Sequence, residues 1–197
     1  MRLRTTAILA TAAAAATSIF LLAGCGGSAS EASSSTATST TAIRKFRGSI
    51  AGASVAYCYP KCRGVTAPRA DLTGADLTGA DFIGANLRGA RFFDANLTRA
   101  SFAGANLTLA DLNGANLTRA NLSGANLDGA NLTDANLTSA YLVRADLTMA
   151  KLNGADLSGA LLMSANLTGA NLTGADLFGA TWNNTTCPDG TVTNTDC

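Results

Sequence analysis

From residue 70 to residue 184 one apolar pattern repeats without a break: a small apolar residue, a polar one, a large apolar one, then two small or polar ones. Alanine fills the small slot every time, from Ala70 to Ala180, which makes 115/5 = 23 units. The large slot holds Leu in nineteen of them, Phe at Phe82, Phe92 and Phe102, and Trp at Trp182. Asn or Asp mostly separates the two apolar slots, and Thr or Ser followed by Gly mostly completes the unit. Five residues advance an α-helix by about 500°, so leucines at this spacing wind round the cylinder instead of lining one face. The many Gly, Asn and Asp residues oppose a helix as well. A straight strand also fails, because side chains alternate with period two and successive leucines would face opposite ways. Both conflicts vanish if the backbone bends by about a right angle once per unit, at corners that Gly, Asn and Asp tolerate. Each Ala and each large apolar residue then faces one interior, and four units close a square coil.

Units such as Ala115-Asn116-Leu117-Thr118-Arg119 and Ala170-Asn171-Leu172-Thr173-Gly174 resemble the A-(D/N)-L-x-x signature of pentapeptide repeat proteins. The resemblance implies an all-β fold, a right-handed quadrilateral β-helix with twenty residues per coil and the alanine and leucine inside. It covers 115 of 197 residues. Coils one inter-strand spacing apart, about 4.8 Å, would give an array on the order of 28 Å long. Residues twenty apart become vertical neighbours. Phe82 therefore stacks with Phe102, Phe92 takes the opposite wall, and Trp182 ends the wall of Phe82.

Residues 1–24 read as an export signal, with Arg2 and Arg4 ahead of an apolar run from Ala7 to Leu22. Leu22-Ala23-Gly24-Cys25 resembles the lipobox of bacterial lipoproteins, which implies cleavage before Cys25 and a lipid on that residue. A plain signal peptide or an uncleaved anchor is the competing reading. The localisation expected from the lipobox is the outer side of the cell membrane. Residues 25–42, mostly Gly, Ser, Thr and Ala after Cys25, are too polar to bury a core and read as a flexible tether. Residues 43–69 form a basic N-terminal cap carrying Arg44, Lys45, Arg47, Lys61, Arg63 and Arg69 and no acid. Those cations suit either anionic lipid headgroups beside the anchor or a solvated face. Ile50, Val55 and Tyr57 are available to cover the first coil, since repeat arrays need their ends capped.

With Cys25 lipidated, Cys58, Cys62, Cys187 and Cys197 remain, an even number in an exported chain. Disulfides need Cα atoms within roughly 7 Å, and the two pairs flank opposite ends of the array. Local bridges Cys58–Cys62 and Cys187–Cys197 follow, each tying down a cap. A metal site is the rival, but the chain has no histidine and no CxxC pair. Residues 185–197 are the C-terminal cap, expected to cover the last interior layer.

No cofactor motif, phosphate loop or nucleophile elbow is present, and the inner slots carry no polar residue, so catalysis is not expected. Asp156 and Asp176 should be stacked neighbours able to hold a cation, though Asp is the usual alternative to Asn at this slot. Sequons such as Asn96-Leu97-Thr98 come from the repeat itself and are not read as glycosylation sites. Some pentapeptide repeat proteins mimic duplex DNA and protect topoisomerase, which needs a strongly negative cytoplasmic rod. Here residues 70–184 hold ten Asp against five Arg and one Lys, a net of only −4, behind an export signal. That reading stays an alternative if the chain is cytoplasmic; otherwise no nucleic-acid partner is expected. The favoured function is an exported, lipid-anchored binding or structural module of the cell envelope. One outward irregularity supports it. Tyr141, Val143, Leu161 and Met163 fall on one wall of two successive coils, with Ile83 further down. Clustered apolar residues there suit self-association or a protein partner, whereas drift in a tolerant repeat would leave them idle. Arg99 and Arg119 stack on the preceding wall and suit either an anionic group or plain solvation.

Overall fold

The computed structural model describes residues 58–197. The leader, Cys25, the tether and the cap residues Ile50, Val55 and Tyr57 lie outside the described residues.

The backbone from Lys61 to Thr186 winds into a four-sided coil. Parallel rung pairs join residues twenty apart in an unbroken series from Lys61↔Asp81 to Asn166↔Thr186. Away from the two ends, each unit repeats the same four backbone bonds. The Leu97 N–H donates to Asn116 O in the next coil (2.7 Å), and the corner Arg99 N–H donates to Thr118 O (3.0 Å). The Asn96 N–H donates back to Ala75 O (2.8 Å), and the Ala100 N–H closes the corner on Leu97 O (2.9 Å). Local and inter-coil bonds thus satisfy a backbone that has no long strand.

The interior is dry. All alanines from Ala70 to Ala165 and all large apolar residues from Leu72 to Leu167 are at most 2% exposed. Phe82 stacks on Phe102 at 5.1 Å between ring centres and 11° between planes. Phe92 meets Phe102 edge-on at 5.8 Å and 84°. The larger rings fill a three-residue block near the start of the coil where three leucines would sit.

The coil is longer at both ends than the alanine count indicates. Residues 60–69, expected within the N-terminal cap, already carry rungs at Lys61 and Thr66. Pro60 and Val65 stand in the alanine slot there, while Cys62 and Ala67 stand buried in the leucine slot. Residues 185–188, expected within the C-terminal cap, extend the last wall in the same way. Thr185 replaces alanine, fully buried, with its hydroxyl donating to Leu162 O at 2.7 Å, and Cys187 takes the leucine slot at 5% exposure. The bend needs small and large inward groups, and alanine and leucine are only the commonest choices.

Both disulfides start from this interior column. Cys58 bonds Cys62 with Cα atoms 4.8 Å apart, and Cys187 bonds Cys197 with Cα atoms 5.5 Å apart. At the C-terminal end strand β1 (Thr185–Thr186) pairs antiparallel with β2 (Val192–Thr193). This cap lies against Trp182 and Cys187, which are 8% and 5% exposed. It does not close the layer as expected. Leu172, Ala175, Leu177 and Ala180 remain only half-buried, because the thirteen-residue tail bridged at Cys187 does not lay a further rung over them. No helix among the described residues is long and apolar enough to cross a membrane.

The corners are left-handed. Among the described residues, eleven non-glycine residues have φ between 52° and 59°, and all occupy the fifth slot of a unit. A residue with a side chain gives up about 1–2 kcal/mol in that conformation. In one corner column Leu109 and Met149 alternate with Gly129 and Gly169. A Cβ on Gly129 would lie 2.8 Å from Leu109 Cδ2, whereas a Cβ on Gly124 would meet nothing. Gly129→Ala should therefore destabilise more than Gly124→Ala in urea, by about 0.5–1 kcal/mol beyond the shared backbone cost, since Leu109 must leave its rotamer. The excess should disappear in a Leu109→Ala background.

Candidate binding surface

The outer walls are built from one local device. The Asn or Asp ahead of each leucine turns its Oδ1 onto the residue two positions later. Asn116 Oδ1 accepts the Thr118 N–H at 3.0 Å and the Thr118 hydroxyl at 2.7 Å. The side chain thus mimics a backbone turn, and Asn and Asp serve equally well as acceptors. Some of these groups also bond between coils, as Asn131 Nδ2 does to Asp111 Oδ1 at 3.0 Å. Polar walls are therefore held in place by their own neighbours.

The carboxylates carry the imprint of the same bonds. The Thr73 hydroxyl and N–H hold the Asp71 carboxyl below its usual range, with a smaller contribution from Arg91. The Ser158 hydroxyl and N–H do the same for Asp156, helped by Thr138, and Thr191 does so for Asp189. Groups tuned in this direction are fixed acceptors and poor general acids near neutral pH. Asp156 and Asp176 are rung neighbours, as their spacing requires. They make no bond to each other: Asp156 accepts the Ser158 N–H at 2.8 Å and the Thr138 hydroxyl at 3.0 Å, and Asp176 accepts the Phe178 N–H at 2.9 Å. No group of three or more metal-ligating side chains occurs among the described residues. Two ion pairs, Arg63–Asp81 at 2.7 Å and Arg91–Asp71 at 3.8 Å, lie on the exposed surface, where such pairs contribute about 0–1 kcal/mol.

The apolar wall is assembled where the twenty-residue period puts it. Tyr141 and Leu161 form a rung pair. Tyr141 is 47% exposed, while Val143, Leu161, Met163 and Ile83 are half-buried. Arg99 and Arg119 stand exposed at the same corner of successive coils, both with φ near 58°. Four further repeat residues are also prominently exposed: Phe178 (84%), Met149 (62%), Leu109 (57%) and Phe93 (39%). Each was readable as an apolar residue in a slot that is otherwise polar or Gly. Leu109 and Met149 share one corner column two coils apart, while Phe93 and Phe178 lie on two other walls.

Matches to the family described as pentapeptide repeats (8 copies) cover residues 61–94, 95–134, 115–153 and 140–179. The chain belongs to the pentapeptide repeat family. As a pentapeptide repeat protein it folds as a right-handed quadrilateral β-helix, in keeping with its twenty-residue rungs. Solved structures similar to it include other pentapeptide repeat proteins. HetL, involved in heterocyst differentiation regulation in the cyanobacterium Nostoc sp. strain PCC 7120, is 32% identical over 66% of this chain and 76% of its own, with a TM-score of 0.29. A pentapeptide repeat protein of the Arabidopsis thaliana thylakoid lumen is 36% identical over 58% of this chain and 69% of its own, with a TM-score of 0.38. Full-length QnrB1, a plasmid-mediated fluoroquinolone resistance protein, is 23% identical over 59% of this chain and 81% of its own, with a TM-score of 0.24. No curated protein matches this pentapeptide repeat protein.

Proposed function

We propose that this pentapeptide repeat protein is exported, anchored to the outer side of the bacterial cell membrane by a lipid on Cys25, and acts there as a non-catalytic binding or structural module of the envelope. The observation that carries the reading is the company of two disulfides, Cys58–Cys62 and Cys187–Cys197, with a lipobox-like Leu22-Ala23-Gly24-Cys25. Protein disulfides persist in oxidising compartments outside the cytoplasm, and the leader supplies the route there. The cations from Arg44 to Arg69 add attraction for anionic headgroups beside the anchor, up to about 1 kcal/mol for each one at the surface. Arg63 contributes less than the others because Asp81 already pairs with it.

The chain should incorporate a labelled fatty acid in its own bacterium and fractionate with membranes. Cys25→Ser should abolish the label and release a soluble or periplasmic form. An unlabelled wild type would remove the anchor from the account. The wall of Tyr141, Val143, Leu161 and Met163 is the proposed face for self-association or docking of a protein partner. In sedimentation, Tyr141→Ser and Leu161→Asn together should lower the association state of the wild type. A wild type that is monomeric, and captures the same proteins as the double variant, would leave that wall without a role.

A further inference from the structure

Two neighbouring walls near the end of the coil, residues 170–174 and 175–179, finish in an open backbone edge. In every earlier coil the N–H of the leucine slot and of the corner donates to the coil above. The equivalent N–H groups of Leu172, Gly174, Leu177 and Gly179 have no such acceptor among the described residues, and the Ala175 carbonyl receives no donor. Folded proteins commonly blunt such edges with Lys or Pro, and residues 170–180 contain neither. The edge is apolar instead. Leu177 is half-buried where its counterparts from Leu77 to Leu157 are sealed, and beside it Phe178 is 84% exposed, the most exposed large apolar residue described. Leu177 and Trp182 also line a hollow together with Asn194, Thr195 and Asp196 of the tail.

Charge singles out the occupant. No Lys or Arg follows Lys151 in the chain, while Asp156, Asp176, Asp189 and Asp196 do. A second copy docking tail to tail would set acid against acid. We propose that the edge formed by residues 175–179 binds an extended peptide segment rich in Lys or Arg and alternating with apolar residues, which adds a rung to the coil. Its backbone takes the N–H groups of Leu177 and Gly179 and donates to Ala175 O. One side chain enters the hollow against Leu177 and Trp182, another covers Phe178, and its cations face Asp176 and Asp196. This is strand addition to an open edge, in which backbone bonds supply affinity and alternate side chains supply selectivity.

Trp182 is the only tryptophan in the chain, so energy transfer from it reads the site directly. The probe is a dansyl-labelled hexapeptide alternating Lys with Val, titrated against the full chain in nonionic detergent. Saturable transfer is expected, weakening as salt rises. Phe178→Ser should weaken binding about tenfold, and Asp176→Asn with Asp196→Asn at least as much at low salt. A peptide N-methylated on alternate residues, which keeps its charge and apolar groups but cannot pair on that edge, should lose the signal. Absence of transfer, equal binding of a Glu–Val peptide, or unchanged binding of the N-methylated peptide would each overturn the proposal. So would a dimer that Phe178→Ser dissociates, because the edge would then be occupied by a second copy.

Discussion

Phe102→Ala should lower the stability of the coil by about 3–5 kcal/mol, the range for removing a fully buried aromatic ring from a core. Phe102 is 0% exposed, and its ring is the one shared by both aromatic contacts, flat against Phe82 and edge-on to Phe92. The backbone on either side is fixed by rungs, Ser101 to Asp81 below and to Asn121 above, so the walls have little room to collapse into the gap. A leucine-slot change such as Leu127→Ala should cost less, about 2–4 kcal/mol, because it leaves a smaller cavity. A double-mutant cycle on Phe82 and Phe102 should show a coupling of about 0.5–1.5 kcal/mol beyond the area each ring buries. Chemical unfolding with intact disulfides measures all three. Equal losses for Phe102→Ala and Leu127→Ala, with no coupling, would mean the ring stack adds nothing specific.

Opening the C-terminal disulfide should have the second largest effect, and a local one. Cys197→Ser releases a loop of ten residues, for which the chain-entropy account gives roughly 3 kcal/mol. Strands β1 and β2 are two residues each and hold little on their own. Repeat arrays are stabilised by neighbour contacts, so fraying should begin at the released end and fade along the coil. Amide exchange is expected to quicken at Leu167, Gly169 and Thr186, whose N–H groups bond within the last layers, and to stay unchanged around Asn96 and Asn116. Trp182 emission should move to the red as the cap lifts. A uniform loss of protection along the whole coil would contradict this picture and make the array one cooperative unit.

The five-residue frame made the architecture legible because it excludes both regular alternatives at once. It also placed Phe82, Phe102, Phe92 and the Tyr141–Leu161 pair, since a fixed period converts sequence distance directly into position. The ends were less legible, for a physical reason. Alanine marks the small inward slot only where the layers above and below leave no more room. At Pro60, Val65 and Thr185 the terminal layers admit other shapes, so the coil continues where the marker stops. The half-open end was hidden for a similar reason. Sequence shows that thirteen residues follow Asn184 and that a cysteine pair can close them, but not which half of the square they cover. Leu109 and Met149 were readable as apolar residues in a corner slot, but that they lie over Gly129 and Gly169 one coil later depends on side-chain placement that the sequence does not show.

Everything described rests on a backbone that turns a corner once in every five residues, so that positions twenty apart are rung neighbours and positions ten apart lie on opposite walls. Spin labels on Thr98→Cys with Thr118→Cys, compared with Thr98→Cys and Thr108→Cys, measure this directly while the native disulfides stay closed. The first pair should be strongly broadened, with attachment points about one rung, roughly 5 Å, apart. The second, closer in sequence, should show no broadening. Broadening of the second pair in place of the first would contradict the coil.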